Sequence, residues 1–166
     1  MSDPPVLPMR AEREGVNSGR FTVSALPSAP FWARRYTSEF LGKNGIAGEA
    51  AEIAVLLVSE LVTNAARVSG NLPGHESSYT ERIQVPSIGL SLRHFRNELL
   101  IEVLDSSPVP PVLIRAQPYA EYGRGLMMVD TLSREWGYFP APGGGKVVYC
   151  FLEIALESKD GDPHGS

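Results

Sequence analysis

The chain predicts an α+β domain, from three observations: a long helical stripe in its first half, apolar runs that pair as hairpins in its second half, and a glycine-led helix set between those hairpins. Phe21, Val23 and Ala25 alternate with Thr22 and Ser24, the period of a half-buried strand. Pro27-Ser28-Ala29-Pro30 then supplies a turn and a helix start, and a helix follows through Leu41. The next helix begins near Ala47 and ends around Ser69-Gly70, where glycine can take the left-handed cap. Within it Ile53, Leu56, Leu57, Leu61 and Val68 recur at helical spacing and predict one apolar stripe. Residues 70–82 read as a mobile polar loop. Residues 87–95 and 99–104 are apolar-rich runs separated by Arg96-Asn97-Glu98, the arrangement of a hairpin, with Asp105 at the exit of its second strand. Prolines interrupt residues 106–118, which excludes regular structure there, and a helix opens behind Gly123-Arg124-Gly125. Residues 136–139 and 146–154 make a final strand pair across Pro140-Ala141-Pro142-Gly143-Gly144-Gly145.

Length and composition suit one globular unit: 166 residues, 43% hydrophobic and 20% charged, are enough for a substantial core. Residues 1–19 and 157–166 are rich in Pro, Gly and charge without periodicity, so they are expected to be disordered tails flanking a domain over residues 20–156. A net charge of −4 offers no long-range attraction to phosphates, which disfavours nucleic acid as a partner. No apolar segment approaches the length of a membrane span, and Met1-Ser2-Asp3-Pro4-Pro5 lacks the features of a secretory signal. The single cysteine, Cys150, cannot form an internal disulfide and lies in an apolar run, which fits a reducing cytoplasm.

The candidate chemistry starts in the long helix. Glu60 and Asn64 lie four residues apart, beside or within the apolar stripe, so both point toward the interior or a cleft. A desolvated carboxylate costs several kcal/mol unless it is partnered, so a water, a metal ion or a ligand near Glu60 is expected, against the plainer reading of a charge at the stripe's edge. Gly123-Arg124-Gly125 before a helix offers backbone N–H groups, the positive end of a helix dipole and a guanidinium, which suit a phosphate; a plain tight turn is the other reading. Neither glycine cluster is a standard nucleotide fingerprint. Met128 occupies the third glycine position of the dinucleotide motif, and Gly143-Gly144-Gly145-Lys146 has Pro140 where a P-loop requires glycine and Val147 where it requires Ser or Thr. Asp105 at a strand exit can accept a hydrogen bond from an exocyclic amine, or cap a turn. His75, His94 and His164 are scattered, which argues against zinc and against a Ser-His-Asp triad. Phe31, Trp32, Tyr36 and Phe40 share helical spacing and read as core or partner surface.

The order of three separated elements, Glu60-x-x-x-Asn64, then Asp105, then Gly123-x-Gly125-Leu126, resembles the GHKL (histidine kinase-like) ATPase superfamily. Within it, Ser59-Glu60-Leu61-Val62-Thr63-Asn64-Ala65, Gly123-Arg124-Gly125-Leu126 and Trp136-Gly137 resemble the anti-sigma-factor serine/threonine kinases, in particular small single-domain ATP-binding regulators of actinobacteria. The likeness spans roughly residues 20–155. It implies a two-layer α/β sandwich of the Bergerat type, with a mixed, mostly antiparallel sheet backed by helices, holding ATP and Mg2+ beneath a mobile lid. In that reading Asn64 would coordinate magnesium, the catalytic Glu60 would orient or deprotonate the attacking group and Asp105 would bind the adenine amine. Gly123, Arg124 and Gly125 would contact the phosphates, with Leu126 completing the cofactor-binding set. The implied partners are an anti-sigma-factor antagonist, phosphorylated on serine, a sigma factor, or both, and the likeness admits a homodimer.

The chain departs from that family's pattern in three places: Ser106-Ser107-Pro108 replaces glycines after Asp105, Val147 replaces a hydroxyl residue after Gly-Lys, and Val68 stands where a histidine is frequent. These keep a second function in view, a binding module that sequesters a sigma factor or antagonist with nucleotide structural or absent. A sensor histidine kinase is disfavoured, because the chain is short for a helical phosphoacceptor region.

Overall fold

The computed structural model describes residues 17–70, 85–113 and 124–155. The expected 70–82 loop lies almost wholly outside these residues, as do Gly123, residues 1–16 and residues 156–166. In chain order the described elements are β1 (Asn17–Ser24), α1 (Ala29–Lys43), α2 (Gly48–Gly70), β2 (Ser87–His94), β3 (Glu98–Asp105), α3 (Arg124–Leu132), β4 (Glu135–Pro140) and β5 (Lys146–Glu153).

The strands form one sheet in the order β1-β2-β3-β5-β4, and all four pairings are antiparallel. The sheet, expected as mostly antiparallel, is wholly so among the described residues: β5 reaches β3 by way of α3 and β4 and runs back along it. β1 begins upstream of the expected boundary near residue 20. Asn17, Ser18 and Gly19 carry no alternating apolar signal, yet their backbone pairs with His94, Arg93 and Leu92.

One face of the sheet carries the helices. Ile88, Leu90 and Leu92 from β2, Leu99, Ile101 and Val103 from β3, and Val148, Cys150 and Leu152 from β5 join Leu57, Val58, Leu61 and Val62 of α2 in a single core. Their spacing of two in the strands against three and four in α2 is the period each element needs to present one face. The buried side of α2 is Ala54, Leu57, Val58, Leu61, Val62 and Ala65. Leu56, expected in the stripe, is instead 37% exposed, so the stripe is rotated toward the small residues Ala54 and Ala65 that let α2 lie close to the sheet. Cys150 is fully buried, and burial pushes its thiol up to about 12, so it packs as a small hydrophobe.

The central strand β3 is buried on both sides. Leu100 joins Phe95, Phe151 and the half-buried Tyr149 in a second cluster on the outer face. Ion pairs flank that cluster: Arg93 with Glu102 at 2.8 Å, and Arg134 with Glu98. α1 starts with proline in its first turn and ends at Asn44, whose side chain donates to Phe40 O at 2.7 Å. Of the aromatic set in α1, Phe40 is core and Tyr36 stacks on Phe21, while Phe31 and Trp32 are exposed in edge-to-face contact.

The β4–β5 turn uses glycine for two distinct reasons. Gly144 has a φ of 97° in open space, whereas Gly145 has a φ of 78° and its missing side chain makes room for the Asp105 carbonyl oxygen, which any Cβ would overlap. Gly144→Ala should therefore cost about 1 kcal/mol, the left-handed backbone penalty alone, and Gly145→Ala distinctly more, as read from urea unfolding midpoints.

Candidate nucleotide site

β3 ends at Asp105, and register places it directly opposite Lys146, the first residue of β5. Both side chains lie on the helix side of the sheet and are almost fully buried, with exposures of 3% and 4%. Two opposite charges removed from water must satisfy one another. Lys146 Nζ donates to Asp105 Oδ1 at 2.9 Å and to the Ser107 carbonyl at 3.1 Å, and the Ser107 backbone N–H donates to the same Oδ1 at 2.9 Å. The turn-capping reading of Asp105 is thus realised, and it coexists with a position in a cavity.

That cavity, about 280 Å3, lies between α2, the C-terminal end of β3, the start of β5 and α3. Leu61, Ala65, Val68, Val103, Leu126 and Val148 give it apolar walls, the proline-rich stretch at Val109–Val112 covers one side, and Asn64, Arg67, Asp105 and Lys146 supply its polar groups. Its size is near the lower end of small-ligand sites, and apolar walls with few convergent polar groups suit a flat heterocycle. A second hollow, about 320 Å3, lies on the sheet's outer face and holds Arg20, Arg93, Glu102 and Leu104, but no predicted site residue.

The structure thus brings Asn64, Asp105 and Leu126 to one cavity from three separated segments. Glu60, one turn before Asn64, is half-buried and packs against α3. Gly125 does not precede the helix as expected; it lies in the first turn of α3, without a positive φ. It approaches Glu60 closely: a Cβ at residue 125 would stand 2.5 Å from Glu60 Oε2, so the carboxylate end would have to shift. Arg124 opens α3 at the surface, the α3 N-terminus lies beside Glu60, and Gly123 lies outside the described residues. Among the described residues there is no group of three His, Cys, Asp or Glu that could hold a metal ion.

Lys146 is the residue that sequence reasoning missed; the available signal was that a lysine starting one apolar strand and an aspartate ending another can meet only if those strands pair. Val147, by contrast, has no part in this cavity. Alternation turns it to the outer face, opposite Leu104 and away from Asp105.

An antiparallel sheet covered on one face by helices, with a mainly apolar cavity at the sheet–helix junction, defines a two-layer α+β domain. Residues 23–151 match the family described as histidine kinase-like ATPase domain, and the chain belongs to that family. Among solved structures it is similar to the RsbU and RsbW domains of Rv1364c from Mycobacterium tuberculosis, with a TM-score of 0.55 and 17% identity, over 84% of this chain and 33% of that one. The chain thus spans about a third of that structure, and at this identity the likeness supports the shared fold. No curated protein matches the sequence. No helix among the described residues is long and apolar enough to cross a membrane.

Removing one member of the buried pair strands the other. Lys146→Met should destabilise the domain by about 3–5 kcal/mol, whereas Asp105→Leu with Lys146→Met should be neutral or stabilising, measured by urea unfolding.

Proposed function

We propose that the chain binds ATP with magnesium in the cavity between α2 and the β3–β5 edge and acts as a serine/threonine protein kinase of the anti-sigma-factor type, in the cytoplasm, on an anti-sigma-factor antagonist in a partner switch. The observation that carries this reading is the convergence of Asn64, Asp105 and Leu126 on one cavity within a histidine kinase-like ATPase domain. The structural neighbour's description names an RsbW domain, in keeping with the resemblance carried by residues 59–65 and 123–126.

In this reading the apolar walls from Leu61, Val103, Leu126 and Val148 hold the base away from water, and Asp105 accepts from its amine. Asn64, one helical turn from Glu60, holds magnesium through its carboxamide oxygen. Bound metal supplies charge neutralisation on the phosphates. Glu60 orients the substrate serine hydroxyl and takes its proton, held against the start of α3 by the close approach at Gly125. Gly123 and Arg124, with Gly125, present N–H groups and a guanidinium to the phosphates.

A second reading, a binding module in which nucleotide is structural or absent, is favoured by one observation: Lys146 already engages Asp105 Oδ1.

Calorimetric titration of ATP with and without magnesium separates the two. The kinase reading expects magnesium-dependent binding, lost on Asn64→Ala, and a drop of about 10²–10⁴ in phosphate transfer on Glu60→Ala with ATP affinity retained. Absence of binding at millimolar ATP rules it out, and partner capture that survives both substitutions supports the module.

A further inference from the structure

We propose that Lys146 reads the bound base directly: with Asp105 it forms an acceptor–donor couple that selects a base carrying an amine beside an unprotonated ring nitrogen, as on the Watson–Crick edge of adenine. The proposal rests on the nucleotide reading above and assigns Lys146 a ligand contact of its own.

Three observations carry it. Lys146 is almost fully buried, yet it lines the same cavity as Asn64 and Asp105. Its ammonium group has three N–H donors, and its contacts among the described residues are with Asp105 Oδ1 and the Ser107 carbonyl, which leaves one donor for the cavity. Both hydrogen bonds to the Asp105 carboxylate fall on Oδ1, which leaves Oδ2 as the acceptor. An acceptor and a donor are therefore held side by side by a pair that cannot rotate away without leaving a charge unpaired. A 6-aminopurine meets them with its amine on Oδ2 and N1 on Nζ. A 6-oxopurine presents the reverse: its carbonyl meets the carboxylate and its N1–H meets the ammonium. Mismatched hydrogen-bonding groups between apolar walls discriminate strongly.

The test compares ATP, purine riboside triphosphate (no amine, N1 still an acceptor) and inosine triphosphate by calorimetric titration into the full chain at saturating magnesium. The expected order is ATP, then purine riboside triphosphate about tenfold weaker, then inosine triphosphate about a hundredfold weaker than ATP. Lys146→Met should bring ATP and 1-deaza-ATP, a further ligand that keeps the amine and lacks the N1 acceptor, to within about threefold of one another, because the contact that separates them is gone. The ratio of those two ligands would not move if Lys146 only supported Asp105, so an unchanged ratio in a folded Lys146→Met chain overturns the proposal. Should that variant fail to fold by circular dichroism, the Asp105→Leu/Lys146→Met double variant takes its place. It should bind all three ligands alike, and a retained wild-type order overturns the proposal. A wild-type chain that binds none of the three overturns the nucleotide reading itself, a distinguishable failure.

Discussion

Everything at the functional end of this domain depends on a lysine and an aspartate that have been taken out of water together. Asp105 closes β3 and Lys146 opens β5, and the strand register sets them face to face. A slip of β5 by one residue would turn Lys146 to the outer face, leave Asp105 unpaired on the helix side and bring the apolar alternation of β5 out of phase with the core. The pair therefore acts as a register lock whose strength comes from the penalty for failure, since a buried ion pair adds little net stability but an orphaned buried charge costs several kcal/mol. Gly145 belongs to the same device, because only a residue without Cβ lets the β4–β5 turn pass against the Asp105 carbonyl. So does Ser107, whose N–H and C=O bracket the pair and fix the first residues of the proline-rich stretch that covers the cavity.

α2 solves a second problem, that of supplying core and site from one helix. Its buried side is built on Leu57, Val58, Leu61 and Val62, and the polar pair Glu60 and Asn64 occupies the half-buried margin, where a side chain can keep part of its hydration and still face a cleft. α3 then approaches Glu60 through Gly125, so the helix that would present N–H groups to an anion is seated against the carboxylate that would act beside it.

Much of this was legible in the sequence, and the parts that were not share a cause. Both hairpins and the bounds of α2 follow from local period and punctuation, which depend on residues a few positions apart. Glu60, Asn64 and Asp105 stood out because each is a polar group where an apolar or turn residue would be unremarkable. The misplaced features depend on packing between distant segments. Leu56 is exposed because the phase of α2 is set by how closely Ala54 and Ala65 approach the sheet. Gly125 reads as a loop glycine until Glu60 is seen against it. Lys146 is separated from Asp105 by 41 positions, and only strand order brings them together.

Two departures from the family pattern acquire different weights once the faces of the sheet are known. Val147 belongs to the outer face and lines the hollow shared with Arg20 and Arg93. Its hydroxyl-free side chain therefore says little about the cavity. The replacement of glycine by Ser106-Ser107-Pro108 matters more, because Ser107 is itself buried and contributes both a donor and an acceptor to the charged pair. A glycine would offer the same backbone groups, but the Ser107 hydroxyl additionally accepts from the Val109 N–H at 3.3 Å and tightens the start of the loop. The consequence is a cavity floor with little freedom to rearrange, in which the direction of each remaining donor and acceptor is set before any ligand arrives. Such preorganisation favours selectivity, since a floor that cannot turn its donors and acceptors penalises every ligand whose edge does not match them.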